Sequence, residues 1–183
     1  MDLTGEIRRI VTGHDATGKA VVLVDGVSPY KVVRPATGVV NRLMWVADAT
    51  PAAMNGSLDH SAAQAGVGPA AGGTSFRIID FPPMTDDEIA AFTSDHVAQQ
   101  FGNEPQQSRY RPPSHPFMHR TRTLDFAIVL SGEIEMKLDD DEPLRLMAGE
   151  VLIQQGTNHA WINRSGKPCR IAFTFIDAQD PLA

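Results

Sequence analysis

From residue 117 onward the chain breaks into short apolar segments at nearly even spacing, which is the pattern of a strand sandwich or closed barrel. Segments 126–130, 133–138, 144–147, 151–155, 159–163 and 169–176 are strand-like, and Ser131-Gly132 supplies one of the turns between them. The run Phe126-Ala-Ile-Val-Leu130 is apolar without alternation, which predicts a strand buried on both faces.

The upstream half has the same texture. With 13 Pro and 15 Gly the chain is cut into short pieces rather than long helices. Segments 6–12 and 19–25 flank the turn-rich stretch 14–18 and read as a hairpin. Segments 41–47 and 74–81 are further strands. Between them residues 48–73, crowded with Ala, Gly, Ser and Pro, read as a long surface loop able to serve as a lid. One helix is expected. Thr85 and Glu88 form a capping box, and Ile89, Phe92, His96 or Val97, and Gln100 or Phe101 follow at helical spacing before Gly102. Residues 105–116 read as an irregular linker. No internal repeat is present. The expected organisation is one structural domain, with strands, loop and helix of 1–110 packed on a barrel core of 111–183.

Bulk properties narrow the function. A net charge of −6 and only scattered Lys and Arg argue against nucleic acid or an anionic membrane surface as partner. The single cysteine, Cys169, excludes an internal disulfide and an all-cysteine metal site within one chain. The N-terminal residues lack the apolar stretch of a secretory signal, and no run approaches the roughly 18 apolar residues of a membrane helix. A soluble, cytoplasmic protein is expected.

Strand parity brings chemistry together. If 119–130 is extended, His119, Thr121, Thr123 and Asp125 share one face, and if 159–163 is extended so do His159, Trp161 and Asn163. Imidazole and carboxylate are ligands accepted by iron, zinc, manganese or nickel.

These residues resemble the two motifs of the cupin superfamily. The later part of the first, G-x5-H-x-H-x3-4-E-x6-G, is matched by His119-x-Thr121-x3-Asp125-x6-Gly132. The second, G-x5-P-x-G-x2-H-x3-N, is matched by Gly149-x5-Gln155 and His159-x3-Asn163. Segments 118–121 and 155–161, with 12–15 and 76–82, look like a branch of small bacterial cupin-2 proteins. The resemblance implies an all-β jelly-roll barrel with an N-terminal strand extension and one external helix, assembled as a homodimer in which sheets continue between subunits. It also implies a divalent transition metal held by His119, His159 and Asp125, with Asn163 structural.

The departures qualify this. Thr121 stands where the motif has its second histidine, Asp125 is one methylene shorter than glutamate, and Gln155 replaces proline. The alternative is a metal-free barrel in which the histidines bond each other, Asp125 and water. His115, four residues before His119 and followed by Pro116, is a candidate replacement ligand.

Trp161, Trp45, Phe76, Phe126 and Phe173 are candidates to line an apolar cavity, though core packing explains each as well. Arg42 and Arg77, inside strands, are candidates to hold an anionic substrate. Arg120 and Arg122 fall on the opposite parity to the ligands. Cys169 reads as a core thiol. The leading expectation is a small-molecule metalloenzyme, a lyase, decarboxylase or dioxygenase, with His159 and Asp125 catalytic. Thr121, Trp161, Trp45, Arg42 and Phe76 would then contact a small organic substrate. The alternatives are a metal-free barrel that binds a small hydrophobic ligand, or a metal-free isomerase or cyclase with His159 as base.

Overall fold

β-Branched and aromatic residues concentrate in eleven short runs, and a computed structural model shows how they pair. It describes residues 5–54, 56, 59, 61, 66, 68–93, 115–140 and 142–180. In chain order the elements are β1 (Arg8–His14), β2 (Ala20–Val27), β3 (Lys31–Val33), β4 (Val40–Ala47), β5 (Thr74–Phe81), α1 (Asp86–Ala90), β6 (Thr123–Ser131), β7 (Glu133–Lys137), β8 (Leu144–Met147), β9 (Val151–Gln155), β10 (Ala160–Ile162) and β11 (Cys169–Asp177).

Strands β1 and β2 form the expected hairpin. A six-stranded sheet runs β3-β4-β5-β11-β6-β9, and a three-stranded sheet runs β10-β7-β8. All the ladders are antiparallel. The inward faces of the two sheets meet in one apolar cluster that includes Ile79, Ala127, Val129, Ile134, Met136, Leu146, Ile171 and Phe173. Each such side chain contributes about 1.5–3 kcal/mol on full burial. Cys169 lies in this cluster, and burial pushes its thiol up to about 12, so it is an inert core residue.

Two sequence expectations need correction. Strand β6 is not buried on both faces. It alternates, with Thr123, Asp125, Ala127 and Val129 inward while Phe126, Ile128 and Leu130 are 41%, 43% and 47% exposed. Composition misled here because an apolar outward row looks, in sequence, like a second buried face. Strand β3 was not expected at all, its three residues being too few for a periodic signal.

The capping box of α1 is present as expected. The Glu88 amide donates to the Thr85 hydroxyl, and the Thr85 amide donates to the Glu88 carboxylate. Ile89 is the buried residue of α1 and packs on Phe117, Met118, Ala160 and Ile162. His60, His96 and residues 94–114, which include the expected later helical turns and most of the linker, lie outside the described residues. None of the described helices is long and apolar enough to cross a membrane.

Turn chemistry fixes the barrel corner between β6 and β7. Gly132 has φ of 77°, and a Cβ built there would stand 2.6 Å from the Pro168 carbonyl oxygen and 3.0 Å from Cys169 Cα. Both neighbours are backbone, so neither can rotate away. Gly132→Ala is expected to lower stability by about 2 kcal/mol, from the left-handed backbone together with this contact. Urea denaturation measures it, and a loss below about 0.5 kcal/mol, the ordinary cost of a neutral surface change, would refute the reading.

Candidate functional site

The strand-parity argument holds in three dimensions. His119, Thr121, Thr123 and Asp125 are all buried and face inward, and the isolated bridge between His119 and His159 joins the two histidine segments. Mutual amide-to-carbonyl bonds of 2.9 and 2.8 Å lock that bridge. The imidazole rings stand 4.3 Å apart, centroid to centroid.

Backbone carbonyls set the tautomers. His119 Nδ1 lies 2.8 Å from the Phe117 carbonyl oxygen, and His159 Nδ1 lies 2.9 Å from that of Thr157. A carbonyl only accepts, so each Nδ1 carries the hydrogen and each Nε2 presents a lone pair. Burial holds both rings neutral. His159 is pushed down to about 4, while His119 is held well below its ordinary value by burial and then by its neighbour His159.

Asp125 is shifted the other way. Burial pushes its carboxyl up to about 7, only partly offset by the neighbouring Thr123 and Gln154 side chains, which favour the ion. Its Oδ2 accepts from Gln154 Nε2 at 3.0 Å, while Oδ1 is buried with no partner. The same Gln154 nitrogen lies 3.3 Å from His159 Nε2, whose lone pair makes the amide the donor. Gln154 sits directly opposite Asp125 in the ladder of β6 and β9. Sequence reading missed it, although strand parity on β9 together with that register would have found it.

His119, Thr121, Asp125 and His159 line an internal cavity of about 90 Å³ whose walls include Ile79, Phe81, Trp161 and Phe173. This is smaller than the roughly 150 Å³ apolar cavity that admits benzene, so it suits a compact molecule. Aromatic packing stiffens the wall. Trp161 lies edge-on to Phe173 at 5.6 Å and edge-on to His159 at 6.1 Å.

Residues 108–176 match Cupin_2, a family of cupin domains. Over that stretch the chain is similar to a cupin domain. Over 70 residues, 38% of this chain, it is 43% identical to Phomopsin biosynthesis cluster protein D of Diaporthe leptostromiformis. That match spans 37% of the relative, so the chain covers little more than a third of its length. Over 175 residues, 94% of this chain and 73% of the relative, it is 25% identical to Cupin-domain-containing oxidoreductase fogC of Aspergillus ruber. Both relatives are fungal, and neither supports the narrower likeness to a bacterial branch. Among solved structures, a putative ethanolamine utilization protein q of Salmonella typhimurium aligns over 96% of this chain and 99% of its own. Its TM-score is 0.44 and its identity 8%.

Several residues expected at the cupin site lie elsewhere. Arg42 does not line the cavity. Its side chain is on the outward face of β4, where Nη1 donates to Asp80 Oδ2 at 2.6 Å. Phe76 points outward from β5 and is 39% exposed, because its position has the opposite parity to Arg77 and Ile79. Trp45 follows a register shift in β4 and sits under the Arg9 guanidinium, 5.8 Å from its ring centroid, also away from the cavity. Phe126 is outward as well. Trp161, Phe173 and Thr121 do line the cavity. His115 does not. Its Nδ1 accepts from the Phe117 amide at 3.1 Å, so it is not placed as a replacement ligand. Arg120 follows the parity argument, pairing outside the cavity with Asp180 at 2.6 Å.

The donor set does not close on a metal as the family motif would have it. Among the described residues no group of three or more His, Cys, Asp or Glu could hold an ion. Gln154 also stands between two of the expected ligands, its amide nitrogen lying on the His159 lone pair and on one oxygen of Asp125 that a three-ligand centre would need.

Proposed function

We propose that the protein binds a small, largely apolar organic molecule in its cupin cavity and moves a proton on it without a metal, with Asp125 as the acid–base group. The observation that carries this reading is Asp125 itself. It is a buried carboxyl pushed up to about 7, with an unpartnered oxygen, in a cavity shared with two neutral imidazoles. A group that titrates near neutrality both takes and returns a proton at pH 7. Gln154 orients Asp125 against His159. Thr121 accepts from the Thr123 hydroxyl at 2.7 Å, which turns its own hydroxyl hydrogen toward other acceptors. Relatives named cupin-domain-containing oxidoreductases support a small-molecule role. The outward apolar row of β6, continued on β9 by Val151 and Ile153, supports assembly as a homodimer.

The test is deuterium incorporation from solvent into a panel of small aliphatic ketones, followed by NMR at pH 7. Asp125→Asn is expected to slow exchange about a hundredfold, the lower end for loss of a general acid–base group. Exchange that is absent from the native protein, or unchanged in the variant, would sink the reading. Elemental analysis gives the second arm: a stoichiometric transition metal that leaves in His119→Ala overturns the metal-free mechanism.

A further inference from the structure

Asp125 is 2% exposed, so a molecule that reaches it has to pass through the cavity wall. Most of that wall is strand, and strands part only by breaking their ladders. Two irregular stretches complete it: the turn after β3, and the segment after β5 that carries Pro82, Met84 and Ile89. The turn is tied across itself. The Thr37 and Gly38 amides both donate to the Arg34 carbonyl, and the Arg34 amide donates to the Val39 carbonyl.

One residue of the segment after β5 faces two spaces. Met84 lines the internal cavity of about 90 Å³, and it also lines a surface pocket of about 450 Å³ that includes Asp86, Glu88 and Arg164. Of the described residues that line the outer pocket, Met84 is the one that also lines the cavity. It is half-buried, as a partition between an inner and an outer space must be.

The backbone around Met84 is held from several sides. Its amide donates to the Asn163 carbonyl at 2.8 Å, and the capping box of α1 begins at the next residue. Arg164 then ties the first turn of α1 to β7, with Asp86 and Glu135 each 2.6 Å away. The Met84 side chain is held by packing alone, against the cluster of Ile89, Phe117, Met118, Ala160 and Ile162. An unbranched thioether with several rotatable bonds changes rotamer without disturbing such an anchored backbone.

We infer that Met84 is the gate of the cavity: its side chain closes the passage to the outer pocket and so sets the length of molecule that the site admits. This rests on the proposed function only in that the cavity receives a small aliphatic molecule. Packing across the capping box, as a hydrophobic staple, explains why a large apolar residue stands before Thr85. It does not explain why that residue bounds both spaces. A staple alone would affect stability and leave ligand length without effect.

Acetone and 2-heptanone share a methyl ketone end and differ in the length of an unbranched tail, so they are the probes. The two tryptophans report where they bind. Trp161 lines the cavity, whereas Trp45 lies under Arg9 away from it. In NMR titrations of the full chain at pH 7, acetone is expected to shift the Trp161 indole signal and leave that of Trp45 unmoved, while 2-heptanone shifts neither. Met84→Ala joins the two spaces, so the affinity for 2-heptanone at Trp161 should rise by about tenfold or more as the tail enters the outer pocket. Met84→Val, a smaller truncation, should give part of that gain and serves if the alanine variant does not fold. Met84→Leu, close in volume, should go on excluding 2-heptanone.

Failure of acetone to reach Trp161, native binding of 2-heptanone as tight as that of acetone, or no gain in a folded truncation variant overturns the gate. So does a leucine variant that admits 2-heptanone as freely as the alanine one. The two readings fail separately. If deuterium exchange is absent while the length selection follows Met84, proton transfer by Asp125 falls and the gate stands; exchange without length selection removes the gate alone.

Discussion

Replacing Asp80 by alanine is expected to lower the unfolding free energy by about 3–5 kcal/mol, the cost of stranding a buried charge. Asp80 is the shared acceptor for two arginines on the outward face of the large sheet. Arg42 Nη1 donates to Oδ2 at 2.6 Å, while Arg170 donates through Nε to Oδ1 at 2.5 Å and through Nη2 to Oδ2 at 2.8 Å. Arg170 lies directly opposite Asp80 in the ladder of β5 and β11, so the bidentate pair also pins the register of those strands. The face is outward in the sheet but not open to water. The chain before β1 folds over it, Arg42 Nη2 donates to the Gly5 carbonyl, and Ile7 packs on Met44, Ile78 and Ala172. Without Asp80 both guanidiniums lose the carboxylate they share in a site where Arg42 is 2% exposed. Urea denaturation with an unchanged slope measures the loss. A cost below 1 kcal/mol would show that these charges are compensated in some other way. Replacing all three residues by apolar ones of similar volume should recover most of the stability, since the penalty is for the unpaired charges and not for a missing bond.

The second large effect is on acid stability. His159 and His115 are both pushed down to about 4, each by burial first, and His119 is held well below its ordinary value. Their folded values lie below their unfolded values, so between about pH 4 and 6.5 the unfolded chain binds more protons than the native one. Stability is then fully present above about pH 6.5 and is lost as pH falls toward 4. Asp125 acts oppositely. Its folded value of about 7 lies above its unfolded one, so its contribution is present below about pH 4 and lost as pH rises to 7. Three groups outweigh one, and the net expectation is a steep loss on acidification. His159 alone accounts for about 3 kcal/mol of it. Unfolding of the native protein and of His159→Leu, measured from pH 7.5 to 4, checks this. The variant should show a visibly shallower decline, and parallel curves would refute the assignment. Asp125→Asn should steepen the decline and raise stability at neutral pH, because it removes the opposing contribution.

Arg42 and Arg77 show where sequence reading stops. Arg77 was a candidate for anion binding because it lies inside a strand, but so was Arg42, and nothing in one dimension separates them. They sit on adjacent strands, and the parity of each side chain decides the outcome. Arg42 faces outward to Asp80, and Arg77 faces inward beside Asn41. Arg34 and Thr37 belong to the connection after β3, an element too short to announce itself. Phe76 and Trp45 failed as cavity residues for the same reason, since an aromatic side chain in a strand carries no label for its face until the register is fixed.

What the sequence by itself determined was the strand texture, the turn at Gly132, the capping box at Thr85, and the inward row of His119, Thr121, Thr123 and Asp125. Each of these follows from local rules: period-two alternation, left-handed glycine, and a side chain bonding to a nearby backbone amide. The tertiary structure decided how that row works. It set Gln154 opposite Asp125 across a ladder and turned both histidine Nδ1 atoms onto carbonyls two residues away. It also enclosed the carboxyl deeply enough to lift it to about 7. A lone pair is free or occupied, and a carboxyl is charged or neutral, only according to what is packed around it. That information lies in pairings between residues far apart in the chain, and alternation along a single strand cannot supply it.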